Sequence, residues 1–188
     1  DPRITFARAS TATYYGTRTA LAEQNLLLQS QTFDNASWSK LGSTATANAA
    51  VAPDGTSTAT LLTSNLASTD SYLRQEPQVP TGGTDVLTVY AKYLNYRYVV
   101  VNIRTGASAR YCWFDVLNGV VATNSSGGTA SMQSVGNGWY RLILSRANEG
   151  STLRCNFYLA TTDAVLTIAG DGTSGNYFWG AQFEKRDQ

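Results

Sequence analysis

From residue 85 onward, apolar and polar residues alternate with a period of two, the pattern of β-strands whose two faces meet different surroundings. In the segment VLTVYAKYL, Leu87 and Val89 share one face of the strand, and Thr88 and Tyr90 share the other. The same alternation recurs in the segments YVVVNIR, RYCWFDV, WYRLILSR, LRCNFYLA and YFWGAQFEK, so we predict a series of half-buried strands. In the last segment, the residues predicted to face the core are Tyr177, Trp179, Ala181 and Phe183.

The strand signal is weaker before residue 85. Short runs with strand propensity are bounded by Pro, Gly and Asp, and the segment Pro53-Asp54-Gly55 predicts a turn. Phe33 and Trp38 lie in the loop segment FDNASW, and we expect them to pin this loop to the core. The predicted early strands are Asn25 to Ser30, Thr44 to Val51, Ala59 to Thr63 and Ser71 to Glu76.

The clearest turn signal is the Asn118-Gly119 pair, which separates two apolar runs. In a two-residue hairpin turn of this composition, both residues adopt positive φ, which Asn and Gly tolerate best. The strand before the turn places Cys112, Phe114 and Val116 on one face, and we assign that face to the core.

Short strands at regular spacing, turns rich in Gly, Asn and Asp, and almost no helical periodicity predict an all-β fold, an antiparallel β-sandwich of the jelly-roll type. The 188 residues are enough for one domain with a sizeable core. Residues 1–24 have no clean period, so we predict an extended lead-in or linker there and a β-sandwich binding module over residues 25–188.

Composition limits the possible partners. Charged residues make up 14% of the chain, against roughly 25% in an average soluble domain. No Lys/Arg cluster of the kind that binds nucleic-acid phosphates is present, and no apolar run reaches the roughly 18 residues of a membrane span. We therefore expect no nucleic-acid partner and no membrane span. The chain begins at Asp1-Pro2 and its only methionine is Met132, so we expect a fragment or a processed product of something longer.

The two cysteines, Cys112 and Cys155, fall on the apolar faces of their strands. The simpler interpretation is two buried thiols that act as small hydrophobic side chains, and the alternative is a single bridge between facing strands. Because the chain has no histidine, two cysteines do not make an ordinary zinc site.

The polar faces of the central strands combine aromatic side chains with planar hydrogen-bonding groups. A sugar ring offers a C–H face to an aromatic ring and hydroxyls to Asp, Asn, Gln and Arg, so this mixture is typical of a shallow carbohydrate groove. The residues converge only if their strands are neighbours in one sheet. The set is Tyr90, Lys92, Tyr98, Asn102, Arg104, Tyr111, Trp113, Asp115, Arg141, Asn156, Tyr158 and Gln182.

Three interpretations of this set stay open: a sugar-binding surface, a protein–protein contact and an ordinary polar sheet surface. Trp113 also fits a position under a long loop or against a neighbouring subunit. Trp139 and Trp179 fit core or loop-anchoring positions better than ligand contacts. The residues that we select for a carbohydrate ligand are Tyr111, Trp113, Asp115, Arg141, Asn156, Tyr158 and Gln182.

Catalysis is not expected of this chain. The absence of histidine removes the usual Ser-His-Asp and Cys-His arrangements. A glycosidase needs two carboxylates about 5 to 10 Å apart across the scissile bond. Asp115 and Glu184 lie on the polar faces of their strands, but the sequence offers no convincing pair.

Five segments occur together in an order that resembles a module of bacteriophage tail-fibre, tail-spike and other virion proteins: NLLLQSQTFDNASW, APDGTSTATLL, FDVLNGVV, NGWYRLILS and GDGTSGNYFWGAQFEK. The lead-in ITFARASTAT is similar to a segment that often precedes this module. The set also resembles the jelly-roll carbohydrate-binding modules of polysaccharide-degrading enzymes. The resemblance extends roughly from Ile4 to Lys185 and implies a β-sandwich within a larger, often trimeric, virion protein.

This resemblance implies a location on the virion surface, with a cell-surface glycan and other virion subunits, a homotrimer among them, as partners. Sugar-binding jelly rolls often carry a structural calcium near the chain ends. Glu184 and the Asn25 region could serve here, although the pair of Asp residues wanted for such a site is missing and we predict no cofactor. We predict a non-catalytic glycan-recognition module, and the alternative is a structural virion domain that decorates or joins subunits without binding sugar.

Overall fold

The alternation of apolar and polar residues produces β-strands, and the described part of the chain contains no helix. The computed structural model describes residues 12–13, 19–20, 25–65, 71–78, 82–125, 127–150 and 153–186. The strands are β1 (Ala12–Thr13), β2 (Thr19–Ala20), β3 (Ser39–Leu41), β4 (Ser43–Ala50), β5 (Ala59–Ser64), β6 (Tyr72–Gln75), β7 (Thr84–Lys92), β8 (Tyr98–Thr105), β9 (Ser108–Asp115), β10 (Val120–Asn124), β11 (Gly128–Gly136), β12 (Trp139–Ala147), β13 (Leu153–Ala160) and β14 (Gly175–Arg186).

Two antiparallel sheets of six strands form a sandwich, which confirms the predicted fold class. Sheet I has the strand order β10-β9-β8-β13-β6-β3, and sheet II has the order β11-β12-β7-β14-β5-β4. The chain changes sheet repeatedly, so that β12 belongs to sheet II and β13 to sheet I. In the predicted lead-in, β1 pairs with β2, and the rest of residues 1–24 lies outside the described residues.

The core lies between the two sheets and is built from the predicted apolar faces. Val101 of β8 and Leu87 of β7 are fully buried, as are their neighbours at alternate positions. Phe157 and Phe178 come from opposite sheets, and their ring centroids are 6.3 Å apart. Each fully buried side chain of this size contributes roughly 1.5–3 kcal/mol relative to an exposed one.

Both cysteines are buried free thiols, as the simpler interpretation predicted. Cys112 of β9 and Cys155 of β13 lie on strands that flank β8 on opposite sides. Two strand spacings separate them by roughly 10 Å, beyond the reach of a disulfide. Burial raises the pKa of the Cys112 thiol to about 12, and burial also raises the pKa of the Cys155 thiol.

The strand predicted at Asn25 to Ser30 is wrong, because this segment is irregular. It lies beside β14, where the Leu26 N–H donates a hydrogen bond of 2.9 Å to the Phe183 carbonyl, but it forms no continuous ladder with that strand. The loop that follows is pinned as predicted. Phe33 and Trp38 are almost fully buried, with ring centroids 5.0 Å apart in an edge-on arrangement.

The two Asn-Gly pairs have different roles. Asn137 and Gly138 form the two-residue turn between β11 and β12, with φ values of 53° and 77°. Asn118 and Gly119 instead belong to a four-residue loop, since Asp115 pairs directly with Val120. In this loop only Gly119 has positive φ, at 73°. The tight turn predicted at Asn118-Gly119 is therefore wrong, although the hairpin itself is present.

Replacing Gly119 with alanine is expected to destabilise the fold by roughly 1–3 kcal/mol. A Cβ atom there would lie 2.7 Å from the Tyr140 hydroxyl, and the backbone has φ of +73°. Gly172 is the matched control, because its φ is +76° and an added Cβ would meet no atom within 4 Å. Chemical denaturation of both variants measures the difference. Equal destabilisation would show that backbone strain alone, and not the contact with Tyr140, determines the cost.

A β-bulge reverses the predicted faces in the first half of β14. Gly180 has φ of +59°, and the register shifts between Trp179 and Gln182. Tyr177 and Trp179, predicted to face the core, are partly exposed, whereas Phe178, which lies between them and so on the opposite face in the same alternation, is fully buried. After the bulge the prediction is correct again for the inward residues Ala181 and Phe183.

Candidate functional site

The seven residues selected from the sequence do not converge on one surface. They divide between the outer faces of the two sheets, which the core separates, so the condition for their convergence, that their strands are neighbours in one sheet, is not met. Sheet I carries Tyr111, Trp113, Asp115, Asn156 and Tyr158, and sheet II carries Arg141 and Gln182.

On the outer face of sheet I, five aromatic residues belong to one apolar cluster. We call them the Tyr158 cluster. The ring centroid of Tyr158 lies 5.6 Å from that of Tyr72 and 6.2 Å from that of Tyr111. Tyr72 and Tyr111 keep part of their surface exposed, whereas Tyr158 is buried. The members of the cluster are Tyr72, Tyr98, Tyr111, Trp113 and Tyr158.

Trp113 lies under the loop that follows β13 and is only 7% exposed. Its indole Nε1–H donates a hydrogen bond of 3.2 Å to the carbonyl of Val165 in that loop. Leu166 from the same loop packs against the cluster. Of the interpretations of Trp113, the position under a long loop matches this environment, and little of the ring is open to a sugar.

Asn156 belongs to a chain of hydrogen bonds that uses its polar groups within the protein. The Arg74 Nε–H donates a hydrogen bond of 2.6 Å to the Asn156 Oδ1. The Asn156 Nδ2–H donates a hydrogen bond, also of 2.6 Å, to the Asn102 Oδ1. The Asn102 Nδ2–H in turn donates to the Arg110 carbonyl. Asn156 and Asn102 are buried, so this network fixes the strands of sheet I more than it offers groups to a ligand.

Asp115 holds the loop after β9 in place. Its Oδ1 accepts hydrogen bonds from the backbone N–H groups of Leu117 and Asn118, and its Oδ2 lies 2.8 Å from both Nε and Nη2 of Arg97. Burial opposes the charged form, but the hydrogen bonds from Arg97 and Asn118 outweigh it and lower the pKa of the Asp115 carboxyl from 3.8. This carboxylate has little accepting capacity left for sugar hydroxyls.

The outer face of sheet II is more open and carries a second aromatic group. Tyr90 of β7 lies directly across from Trp179 of β14, and their ring centroids are 5.3 Å apart at an interplanar angle of 65°. On its other side Tyr90 pairs with Arg141 of β12, which pairs with Gln133 of β11. We call this surface the Tyr90 face. Its residues are Tyr90, Lys92, Gln133, Arg141, Tyr177 and Trp179.

Two tryptophans attach the loop between β4 and β5 to one end of the Tyr90 face. The Trp139 Nε1–H donates a hydrogen bond of 3.1 Å to the Val51 carbonyl. The Trp179 Nε1–H donates a hydrogen bond of 3.1 Å to the Thr58 hydroxyl. Trp139 is buried under this loop, and Trp179 remains partly exposed. The loop-anchoring role predicted for both residues is present, and Trp179 also offers ring surface to solvent.

Arg141 and Lys92 differ from the other cations of the described residues. Neither forms a hydrogen bond or an ion pair with any of those residues, and the Arg141 Nε is shielded from solvent without an acceptor. The aliphatic part of Lys92 runs beside Gly138, because a Cβ placed there would lie 3.5 Å from the Lys92 Cε. Both charged groups are therefore available on the face that carries Tyr90.

Gln182 lies on the same outer face as Arg141, on the other side of β7. Its Nε2–H donates to the Glu184 Oε1, and the Glu184 Oε2 lies 3.1 Å from the Arg186 Nη2. Asn25, named with Glu184 for a structural calcium, uses its Oδ1 to accept the Phe183 N–H at 3.0 Å. Within the described ranges, no three His, Cys, Asp or Glu side chains lie together as a metal site would need.

The sequence identified part of the Tyr90 face and missed Trp179. Tyr90, Lys92 and Arg141 were placed on polar strand faces by their alternation, although only Arg141 was selected. The alternation alone places Trp179 on the core face, because a strict period-two pattern does not show the bulge at Gly180. A glycine inside a strand is the signal that could have revealed it.

No protein-family model and no curated protein sequence matches this chain. Solved structures that share its fold include a phage tailspike domain and a carbohydrate-binding module. The enzymatically active domain of tailspike protein 4 from bacteriophage CBA120 is 17% identical, with a TM-score of 0.52, over 86% of this chain and 21% of that chain. TmCBM61, solved in complex with β-1,4-galactotriose, is 12% identical, with a TM-score of 0.53, over 87% of this chain and 99% of that chain.

At these identities the likeness establishes a shared β-sandwich fold. The chain spans about a fifth of the tailspike domain, 21% of its length, and nearly all of the carbohydrate-binding module. In the described part of the chain, no helix is long and apolar enough to cross a membrane.

Proposed function

We propose that this chain is a non-catalytic carbohydrate-binding module of a phage virion protein and that it binds host-surface glycan through the Tyr90 face. The observation that carries the proposal is the row formed by Trp179, Tyr90 and Arg141 on adjacent strands. Two partly exposed rings can stack on sugar C–H faces, and an unpaired guanidinium can donate to sugar oxygens.

The dimensions of the row suit an extended ligand. From Trp179 through Tyr90 and Arg141 to Gln133 the row crosses four neighbouring strands, which places its ends roughly 14 Å apart. A ligand that follows the row lies across the strands. It meets in turn the ring of Trp179, the ring of Tyr90, the guanidinium of Arg141 and the amide of Gln133. This order supports a short stretch of polysaccharide better than a single small molecule.

The two structural neighbours support the wider assignment. One is a phage tailspike domain, and the other is a carbohydrate-binding module with a bound galactotriose. Together with the segments that resemble virion modules, they favour a position in a tail fibre, a tail spike or another appendage at the virion surface. Other subunits, including further copies of this chain in a homotrimer, are the partners that such a position implies.

The absence of catalysis is part of the proposal. The carboxylate of Glu184, on the outer face of sheet II, is already paired with Arg186 and accepts a hydrogen bond from Gln182. Incubation with a bound polysaccharide is therefore expected to release no new reducing ends.

The alternative is a structural domain that joins virion subunits without a sugar ligand. Exposed apolar residues at the edge of sheet I favour it, since Leu117 is 49% exposed and Val120 of the edge strand β10 is 52% exposed. An edge strand with apolar side chains is a common site of contact between chains. This alternative predicts that the module binds no polysaccharide.

Replacing Tyr90 with alanine is expected to weaken polysaccharide binding by about 2 kcal/mol, or roughly thirtyfold, since a central aromatic contact commonly carries this much binding energy. Affinity electrophoresis through gels that contain neutral and acidic polysaccharides measures the effect. Tyr72→Ala is the matched control, because Tyr72 is also partly exposed but belongs to sheet I. If Tyr72→Ala weakens binding and Tyr90→Ala does not, the site lies on sheet I.

A further inference from the structure

Arg141 is unusual among the arginines of the described residues. Every other described arginine has a hydrogen bond or an ion pair within the protein, whereas Arg141 has neither. The paired arginines are Arg74, Arg97, Arg104, Arg110, Arg146, Arg154 and Arg186. The Arg141 Nε is shielded from solvent and has no acceptor, so this donor is unsatisfied within the protein, while the rest of the side chain stays partly exposed.

Lys92 adds a second unpaired positive charge to the same face. It stands two residues from Tyr90 on β7, directly across from Trp139 and Tyr177 of the neighbouring strands. Lys92 and Arg141 are therefore diagonal neighbours across one strand pair, with side chains that begin roughly 7–8 Å apart. Both occupy strand positions next to Tyr90, Lys92 two residues along β7 and Arg141 directly across on β12.

No carboxylate of the described residues neutralises these two cations. Glu184, on the same outer face, is paired with Arg186. Asp54, in the loop anchored by the two tryptophans, accepts hydrogen bonds from the backbone N–H and the hydroxyl of Thr56. The Tyr90 face therefore has a local positive charge although the whole chain has a formal net charge of only +1.

We infer that the Tyr90 face recognises an acidic polysaccharide whose sugar units carry carboxylate groups, with Arg141 and Lys92 as the residues that bind those groups. This inference rests on the proposed function. The planar fork of a guanidinium matches a carboxylate in two parallel hydrogen bonds, and the lysine ammonium contributes a point charge beside it. Tyr90 and Trp179 would contact the sugar rings while Arg141 selects the acidic substituent.

The experiment compares polysaccharides that differ only in charge. Affinity electrophoresis is run in gels that contain polygalacturonate, alginate or hyaluronate, in gels with the same polymers after reduction of their carboxyl groups to alcohols, and in gels with dextran sulfate. At least one carboxylated polymer is expected to retard the protein. Reduction of its carboxyl groups is expected to weaken binding by about tenfold or more, because the charge-assisted hydrogen bonds are lost.

Arg141→Gln and Lys92→Gln are expected to reproduce that loss on the unmodified polymer, Arg141→Gln by about tenfold. Arg104→Gln is the matched control, because it removes the same charge from an exposed position on sheet I, and its effect is expected to stay within about twofold. Each variant is also checked by thermal unfolding.

The outcomes separate this inference from the proposed function. In one outcome, neutral or carboxyl-reduced polymers retard the protein, Tyr90→Ala abolishes this retardation and Arg141→Gln does not. This outcome would overturn the acidic ligand and keep the carbohydrate site. Equal binding of dextran sulfate and the carboxylated polymers would overturn the commitment to carboxylate. Retardation by none of the polymers would overturn both proposals. An equal loss from Arg104→Gln would mean that net charge, and not this site, governs binding.

Discussion

Replacing Trp113 with alanine is expected to lower the free energy of unfolding by about 3 kcal/mol and to leave polysaccharide affinity unchanged. The indole is 7% exposed, its ring centroid lies 5.8 Å from that of Tyr111, and its Nε1–H donates a hydrogen bond to the Val165 carbonyl of the covering loop. Its removal leaves a cavity on the outer face of sheet I and an unpaired carbonyl. In a domain of this size the loss corresponds to a fall in Tm of roughly 6–12 °C, which differential scanning calorimetry measures.

Trp113→Phe is the matched variant. It keeps an aromatic ring in the cluster but removes the N–H donor, so a smaller loss of about 1 kcal/mol is expected. The structural role assigned to Trp113 would be contradicted if Trp113→Ala kept the stability of the parent and lost its polysaccharide binding.

Replacing Asp115 with alanine is expected to destabilise the fold by about 2–4 kcal/mol at neutral pH. The change removes the acceptor of two backbone N–H groups in the loop after β9 and leaves Arg97 without its partner. The loss is smaller than for a fully buried ion pair, because the Arg97 side chain is 49% exposed and solvent screens its charge. Urea denaturation of both proteins gives the difference.

The difference in stability between the parent and a variant without the Asp115 charge changes with pH in a defined direction. The folded state holds the pKa of Asp115 below 3.8, so its charged form is stabilised on folding. The contribution is fully present above the pKa of the unfolded chain and is lost as pH falls through the lower pKa of the folded state. The gap in stability between the parent and Asp115→Asn, which keeps an amide oxygen as acceptor, should therefore narrow below about pH 4. A gap that stays constant to lower pH would contradict the role assigned to the charge.

Strand faces could be predicted from the sequence because one side of each strand must meet the core. The alternation in the segments WYRLILSR and LRCNFYLA puts Leu142 and Leu144 of β12, and Cys155 and Phe157 of β13, on the inner faces, and all four are fully buried. The sandwich fold follows from the same pattern, since amphipathic strands that all bury one face need a second layer.

The composition of the site could not be predicted in the same way. Alternation shows which face of a strand is polar but not which strands lie beside it, and here the chain changes sheet between β12 and β13. For this reason Arg141 and Asn156 were expected together and lie on opposite faces of the molecule. Asp115 occupies a polar strand position, but its carboxylate serves the loop that contains Asn118, a use of Asp that is common in turns.

The central claim is that the outer face of sheet II, and not that of sheet I, binds polysaccharide. The chain contains four tryptophans, and each indole N–H has a different acceptor in the fold, so their signals in a ¹H–¹⁵N spectrum are separate reporters. Trp→Phe variants assign the signals. The spectrum is then followed during titration with oligosaccharides cut from the polymer that gives the strongest retardation.

This titration tests the claim most directly, because Trp179 and Trp113 report from the two outer faces in one sample. We expect the Trp179 indole signal to move in proportion to saturation while the signals of Trp113 and Trp38 stay in place. Movement of the Trp113 signal with a stationary Trp179 signal would place the ligand on sheet I and contradict the claim.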